Sequence, residues 1–204
     1  MSDPLCLGFV NTLDLRLSDA VESLHGYADV VTWAEAAGAA APGDAQQLRT
    51  AAEADPGAAA SALRVALSLR EAMYRVLAAR LDRQAPEPGD LALVDEHLGR
   101  VRERLVLDGD GHVGVTTATG GPQLERPLAL VARDAARLLE ELEAGLLGGD
   151  VRLRACPGSP GRACGWLFVD TTRNHSRRYC VSSLCGNRAR AHRFADRRRT
   201  AADG

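Results

Sequence analysis

The sequence predicts an α+β protein with two parts. A mostly helical domain with a small β-sheet or hairpin is expected over residues 1–150, followed by a small strand-plus-helix module over residues 151–204. Three observations lead to this prediction. Apolar residues recur at helical spacing through residues 61–83 and 127–147. Two short β-prone runs flank the turn sequence DGDG at residues 108–111. Four of the five cysteines lie within thirty residues near the end of the chain.

The elements of residues 1–150 follow from apolar periodicity and turn-forming residues. The short apolar run Leu5–Thr12 is expected to form a strand. Tyr27–Ala37 is expected to form a helix that Gly38 ends, followed by a loop rich in alanine, proline and glycine. The remaining predicted elements are helices at 61–83 and 90–104, a β-hairpin at 105–117, and an amphipathic helix at 127–147 that a glycine pair ends.

Charge is distributed unequally between the two parts. The whole chain has a net charge of −2 at pH 7. Residues 151–204 contain twelve arginines and three aspartates, which gives +9, so residues 1–150 carry −11. Such asymmetry indicates that one part meets a polyanion. The sequence has no apolar run long enough to span a membrane and no secretion signal, so we expect a cytoplasmic protein whose cysteines stay reduced.

The cysteine spacing is typical of a structural zinc site. Cys156, Cys164, Cys180 and Cys185 form the pattern Cys-x7-Cys-x15-Cys-x4-Cys, which is two local pairs separated by a short segment. Two turns can thus offer the four thiolates that zinc binds tetrahedrally, leaving no open position for water. The alternatives are two disulfides or buried, unreactive cysteines, and a reducing compartment disfavours the first. Cys6 lies in an apolar run and is expected to be part of the core.

A basic helix is predicted after Cys185, with Ser182 or Ser183 as its cap. Arginines on most of its faces, next to a zinc site, favour contact with phosphates. Asparagine and arginine are also the side chains that read adenine and guanine. The alternative is a solvated charged tail. The candidate nucleic-acid-binding residues are Arg177, Arg178, Asn187, Arg188, Arg190 and Arg193.

The motifs of the chain resemble a known family. CVSSLCGNR at residues 180–188 resembles the signature of the CGNR zinc-finger family, and CGWLFVD (164–170) and RNHSRRYC (173–180) fit its usual run. Residues 1–150 are similar to the ABATE-type domain that precedes this finger, through LGFVNTL (7–13), LREA (69–72) and PLALVARD (127–134). Tyr179 stands where the family more often has tryptophan, and the first cysteine pair is wider than usual. The resemblance implies a stress-linked transcription regulator that binds double-stranded DNA.

One arginine interrupts an apolar stripe. Arg70 lies at the centre of the apolar face of the helix predicted for residues 61–83. A buried guanidinium without a partner is costly, so we expect an ion pair inside the protein, with Asp134 as the candidate and Glu71 on the wrong face. The alternative is a pocket that Arg70 forms with Asn11 for an anionic small-molecule effector.

These observations favour a zinc-dependent DNA-binding regulator whose N-terminal domain senses a ligand or forms a homodimer. An RNA-binding factor and a protein-interaction zinc module are the alternatives, since both would use the same basic module. An enzyme is not expected, because the sequence has no phosphate-binding glycine loop and no GxSxG or HExxH motif. His25, His97 and His112 are scattered along the chain.

Overall fold

The computed structural model describes residues 4–107, 109–146, 152–181 and 185–202, which form seven α-helices and three two-stranded antiparallel sheets. The helices are α1 (Leu5–Val10), α2 (Tyr27–Ala36), α3 (Pro42–Ala54), α4 (Pro56–Leu81), α5 (Pro88–Leu98), α6 (Arg126–Leu146) and α7 (Asn187–Ala202). The paired strands are β1 (Leu13–Asp14) with β2 (Val21–Glu22), β3 (Val101–Leu107) with β4 (Val113–Thr119), and β5 (Arg152–Ala155) with β6 (Leu167–Asp170). The α+β prediction is confirmed.

The chain divides into two compact units that interleave along the sequence. The first, which we call the helical unit, contains residues 4–9 and 24–139. The second, which we call the cysteine unit, contains residues 10–23 and the described residues from Glu140 onward. A short N-terminal segment therefore belongs with the C-terminal part of the chain.

The helical unit has an apolar core to which α1, α2, α4 and α6 contribute. Its largest fully buried side chains include Leu7, Phe9, Leu69, Met73, Leu77 and Leu128. The predicted strand at Leu5–Thr12 is wrong, since its first six residues form α1. Cys6 is also fully buried there, so no polar face marked a helical period in the sequence.

Two further boundaries differ from the prediction. The loop expected after Gly38 contains α3, which begins with a proline at its first turn but buries only Ala45 and Leu48. Its apolar stripe is therefore too narrow to read from the sequence. Helix α4 begins at Pro56 rather than at residue 61, because the Asp55 carboxylate caps it by accepting a 2.8 Å hydrogen bond from the Ala58 amide.

The predicted helix at 90–104 ends earlier, and the predicted hairpin is longer. Helix α5 stops at Leu98, and β3 begins at Val101. Strand β3 pairs with β4 over seven residues, with Leu105 opposite Val115. The amphipathic helix at 127–147 is confirmed as α6. Its predicted face is buried at Leu128, Val131 and Ala135 and half-buried at Leu139 and Leu142, and the side chain of Leu146 lies outside the described residues.

Arg70 is buried, as predicted, with only 3% of the residue exposed. Its partner is Glu71, whose Oε1 lies 2.9 Å from the Arg70 Nε. The expectation that Glu71 lies on the wrong face is therefore wrong. Both side chains are long enough to bend towards each other across neighbouring helix positions. Asp134, the expected partner, accepts a 2.8 Å hydrogen bond from the Cys6 amide.

Among the residues that the structure describes, we find no helix that is both long enough and apolar enough to cross a membrane.

Candidate metal centre

The segment between the first two cysteines folds into a tight turn. Ser159 and Arg162 exchange backbone hydrogen bonds of 3.1 and 2.8 Å around a two-residue corner. This turn takes up the seven residues between Cys156 and Cys164 and brings the chain back on itself. The unusually wide spacing of the pair is therefore compatible with a common metal site, as the sequence analysis expected for a loop rich in proline and glycine.

A glycine and a pair of backbone hydrogen bonds close this turn against the strand that follows. At Gly158, where φ is +75°, a Cβ atom would lie 2.1 Å from the Arg162 carbonyl oxygen, so only glycine fits. The Cys156 amide donates to the Trp166 carbonyl at 2.8 Å, and the Gly165 amide donates to the Cys156 carbonyl at 3.0 Å. Gly158 and these two backbone hydrogen bonds thus fix the geometry of the first ligand pair.

The four predicted ligands form one buried cluster. The sulfur atoms of Cys156, Cys164, Cys180 and Cys185 all lie within 4.8 Å of one another. Two of the separations, Cys164–Cys180 and Cys180–Cys185, are 3.8 Å. A tetrahedron of sulfurs at roughly 2.3 Å from a central zinc has edges of about 3.8 Å, whereas a disulfide needs about 2.0 Å. All four cysteines are free thiols, and their arrangement fits Zn²⁺.

Hydrogen bonds from Cys164 and Cys180 lower the pKa of Cys156, so one thiol of the cluster ionises readily. The ionisation of the other three is opposed unless a cation is present. Hydrogen bonds with Cys156 and Cys164, together with burial, raise the pKa of Cys180 well above its usual range. Burial also raises the pKa of Cys185. A zinc ion reverses this effect because it stabilises the thiolates directly. Metal affinity at this site should therefore fall as the pH falls, since protons compete for the sulfurs.

A buried carboxylate fastens β6 to the segment that leads to the second ligand pair. Asp170 is fully buried, and its side chain accepts hydrogen bonds from the Thr172 hydroxyl at 2.6 Å and the Arg177 amide at 3.0 Å. Its Oδ2 also lies 3.1 Å from the Arg154 Nε. Burial alone would favour the neutral acid, but these partners lower the pKa of Asp170. The carboxylate is thus charged and connects β5, β6 and the segment before Cys180.

Arg177, which the sequence analysis assigned to nucleic acid, is half-buried and makes contacts within the cysteine unit. Its guanidinium donates to the carbonyl oxygens of Val169 at 3.3 Å and Tyr179 at 3.1 Å, and also to that of Cys180. It lies over the Phe168 ring, 4.6 Å from the ring centroid. Carbonyl acceptors brought together only by folding hold this arginine, so its role is to support the metal ligand Cys180.

Residues 10–23, which we call the N-terminal clasp, complete the cysteine unit. The Asn11 amide donates to the Leu167 carbonyl at 2.8 Å and accepts from the Leu167 amide at 3.0 Å, so it pairs with β6 as a neighbouring strand would. The Ser18 hydroxyl donates to the Ala163 carbonyl at 3.0 Å. The clasp therefore contacts the residues on both sides of Cys164.

The clasp also explains why residue 165 is a glycine. Gly165 has φ of +78°, and a Cβ atom there would lie 2.8 Å from Cγ of Leu17. The sequence analysis missed this association, because Asn11 was the only polar signal in its apolar run. Both candidate pocket residues now have protein partners, Leu167 for Asn11 and Glu71 for Arg70. The anionic-effector pocket stays a prediction.

The other nucleic-acid candidates lie at the surface of the same unit. Arg178, Asn187, Arg188 and Arg190 are exposed, and the Arg190 guanidinium donates to the Asn187 side-chain oxygen. Helix α7 begins two residues after Cys185, so its first turn is positioned by the metal cluster. Two predictions lie outside the described residues: the cap at Ser182 or Ser183, and the side chain of Arg193.

Two family models match the chain, in the order that the motifs indicated. ABATE, described as "Putative stress-induced transcription regulator", matches residues 3–141, and the CGNR zinc finger matches residues 152–198. A comparison with curated proteins finds no match. The first model covers more than half of the chain, and the second contains the four clustered cysteines. The chain therefore belongs to the ABATE family of regulators and carries a C-terminal CGNR zinc finger whose cysteines are positioned to bind zinc.

Proposed function

We propose that this protein is a DNA-binding transcription regulator of the cytoplasm rather than an enzyme, and that it contacts the duplex through Arg178 and the first turns of α7. The observation that carries the proposal is the exposed set of arginines on a helix that starts directly at the metal cluster. A helix held at one end by zinc can present these side chains to a groove with little loss of conformational entropy.

The charge of the module supports contact with a polyanion. Residues 151–204 carry +9 from arginine and aspartate. Four thiolates and the Zn²⁺ that they bind have a combined charge of about −2, so the folded module carries a net charge of roughly +7. The first 150 residues carry −11 and would repel phosphates. Any polyanion should therefore bind at the C-terminal module.

The contacts divide the arginines by role. Arg177 donates to carbonyl oxygens inside the module, so we leave it out of the proposed contact surface. Arg178 and Arg190 are exposed and suit phosphates. The bond between Arg190 and Asn187 orders both side chains in the first turn of α7. Arg188 follows Asn187 and is exposed, and a guanidinium there can read guanine in the major groove.

Gel-shift titrations with zinc-loaded protein at several salt concentrations test the proposal. If Arg178, Arg190 and Arg193 each neutralise one phosphate, log K should fall against log salt with a slope of roughly −2.7. Arg178→Ala should weaken all sequences alike and reduce the slope by about 1, whereas Arg188→Ala should cost about 1–3 kcal/mol at one base position.

Arg64→Ala is the matched control, because Arg64 is an exposed arginine of α4 in the helical unit. It should leave both affinity and slope unchanged. Zinc-loaded protein without salt-dependent binding would contradict the proposal and favour a protein-interaction module. Competition between duplex DNA and RNA of the same length provides the second check, because a preference for RNA would favour an RNA-binding factor.

A further inference from the structure

The hairpin β3–β4 carries an exposed apolar face. Leu105 pairs with Val115 and Leu107 pairs with Val113 across the two strands, so the four side chains lie on the same face. They are 76%, 59%, 72% and 68% exposed, respectively. In the helical unit, where the other long apolar side chains are largely packed, a contiguous face of this kind indicates a binding surface.

The small size of this sheet is a second indication that its apolar face packs against a binding partner. The described part of the chain places β3 and β4 in a sheet of only two strands. Such a sheet is marginally stable alone and needs further strands or a packing partner on its apolar face. The opposite face carries Arg102, Arg104 and Val106, so the two faces differ in character. The apolar face has no charge along its centre and does not suit nucleic acid.

The two ends of this face carry opposite charges. Asp110 is exposed in the turn at the tip of the hairpin. At the base, Glu103 forms ion pairs with both Arg133 and Arg137 of α6, with 3.5 Å between the Arg137 Nη2 and the Glu103 Oε1. Two guanidiniums against one carboxylate leave the base positive, and the Arg137 side chain is 59% exposed. The face is thus acidic at the tip, apolar in the middle and basic at the base.

We infer that this face binds the same face of a second copy of the chain, with the two hairpins antiparallel. A two-fold axis in the plane between the two faces, perpendicular to the strands and level with the Val106–Gly114 pair, places the tip of each copy over the base of the other. Asp110 then lies four residues beyond the centre, opposite the Glu103–Arg137 end of its partner. The pattern of charge is self-complementary only in this antiparallel arrangement.

The area suits a reversible dimer. Two such faces would bury roughly 1,000 Å² in total, at the lower end for specific interfaces. We therefore expect an affinity in the micromolar range rather than an obligate dimer. The inference does not depend on nucleic-acid binding. If the proposed function holds, two copies bring two basic helices to one duplex, which raises the effective concentration of the second helix.

Sedimentation of the full-length, zinc-loaded chain without nucleic acid tests the inference across a range of concentrations. We expect a reversible monomer–dimer equilibrium. Leu107→Glu should raise the dissociation constant about 100-fold or more, because each copy would bury an unpaired carboxylate in the centre of the interface. Val106→Glu is the matched control on the opposite face, 43% exposed, and should leave the dimer intact.

Charge reversal tests the orientation of the two hairpins. Asp110→Arg and Arg137→Glu should each weaken the dimer about 10-fold, because each places like charges together at both symmetry-related ends. The double variant should recover most of the wild-type affinity. Both residues are exposed, so folding should not change, and circular dichroism of each variant checks this.

Three results would overturn the inference. The wild-type chain could stay monomeric at every concentration, the dimer could persist in Leu107→Glu, or Val106→Glu could weaken the dimer as strongly as Leu107→Glu does. A double charge reversal without recovery would overturn the antiparallel arrangement. A failure of DNA binding leaves all these measurements unaffected, so the two proposals fail separately.

Discussion

The helical unit and the cysteine unit are each stabilised by a different kind of interaction. The helical unit buries leucine, methionine and phenylalanine side chains from three helices. The centre of the cysteine unit contains four thiols packed against Phe168, with the charged Asp170 fully buried nearby. A small unit has too little apolar surface to offset the entropy of folding, so metal bonds and polar contacts supply what a larger core would. Changes in metal concentration should therefore affect the cysteine unit and spare the helical unit.

Removal of a metal-binding cysteine should produce the largest difference in stability between the two units. Cys180→Ser should abolish stable zinc binding and unfold the cysteine unit, because structural zinc contributes on the order of 10 kcal/mol in small metal modules. Helix α4 should stay folded. Metal analysis of the purified variant, with hydrogen exchange compared between β6 and α4, measures both effects.

Cys6→Ser is the control for this change, since Cys6 is the one cysteine outside the cluster and is buried in α1. It should reduce the stability of the helical unit while one zinc per chain remains. Full protection of β6 in metal-free Cys180→Ser would show that the cysteine unit has a sufficient core without zinc.

Loss of the clasp amide should have the next largest effect. Asn11→Ala leaves the amide and carbonyl of the buried Leu167 without partners, which should destabilise the cysteine unit by about 2–4 kcal/mol. Asn174→Ala removes an exposed amide of the same unit and should change little. Hydrogen exchange of β5 and β6 in both variants decides this, and equal exchange rates would mean that the clasp is dispensable.

A third pair of variants compares two arginines of α4 that differ in burial. Arg70→Ala should destabilise the helical unit by about 2–3 kcal/mol, less than a fully buried pair would, because the Glu71 side chain is one-third exposed. Arg75 binds Asp90 with bonds of 2.6 and 2.7 Å, but its side chain is 56% exposed. Arg75→Ala should therefore cost about 1 kcal/mol or less. Thermal unfolding measures both, and equal losses would show that burial does not set the strength of these pairs.

The features that the sequence predicted well are local ones. The cysteine spacing correctly predicted the four clustered ligands, because the two residues of each pair lie close together along the chain. The hairpin β3–β4 and helix α6 followed from short-range periodicity and turn residues. The family motifs around Cys180 and Cys185 are local in the same sense, and the matching family models bear out that resemblance.

The features that were missed depend on contacts between distant segments. Helix α1 was taken for a strand because its sequence is apolar throughout, and its tertiary contacts come from distant residues such as Trp33 of α2 and Asp134 of α6. The internal contacts of Arg177 were not foreseen, because its charge is visible in the sequence while the carbonyl oxygens that it binds are not. The bond between Asn11 and Leu167 spans 156 residues, and no local pattern marks it.

That span has a consequence for biosynthesis. At roughly 5–20 residues per second, Asn11 is incorporated about 8–30 s before Leu167. The clasp thus spends the synthesis of the whole helical unit without its partner strand, and the cysteine unit closes only when nearly all of the chain has been translated. Zinc can be captured only at this late stage, so a chain interrupted before Cys185 carries a finished helical unit and no metal. The family-model boundary at residue 152 marks where the finger motif begins, whereas the folding of the finger depends on residues translated first.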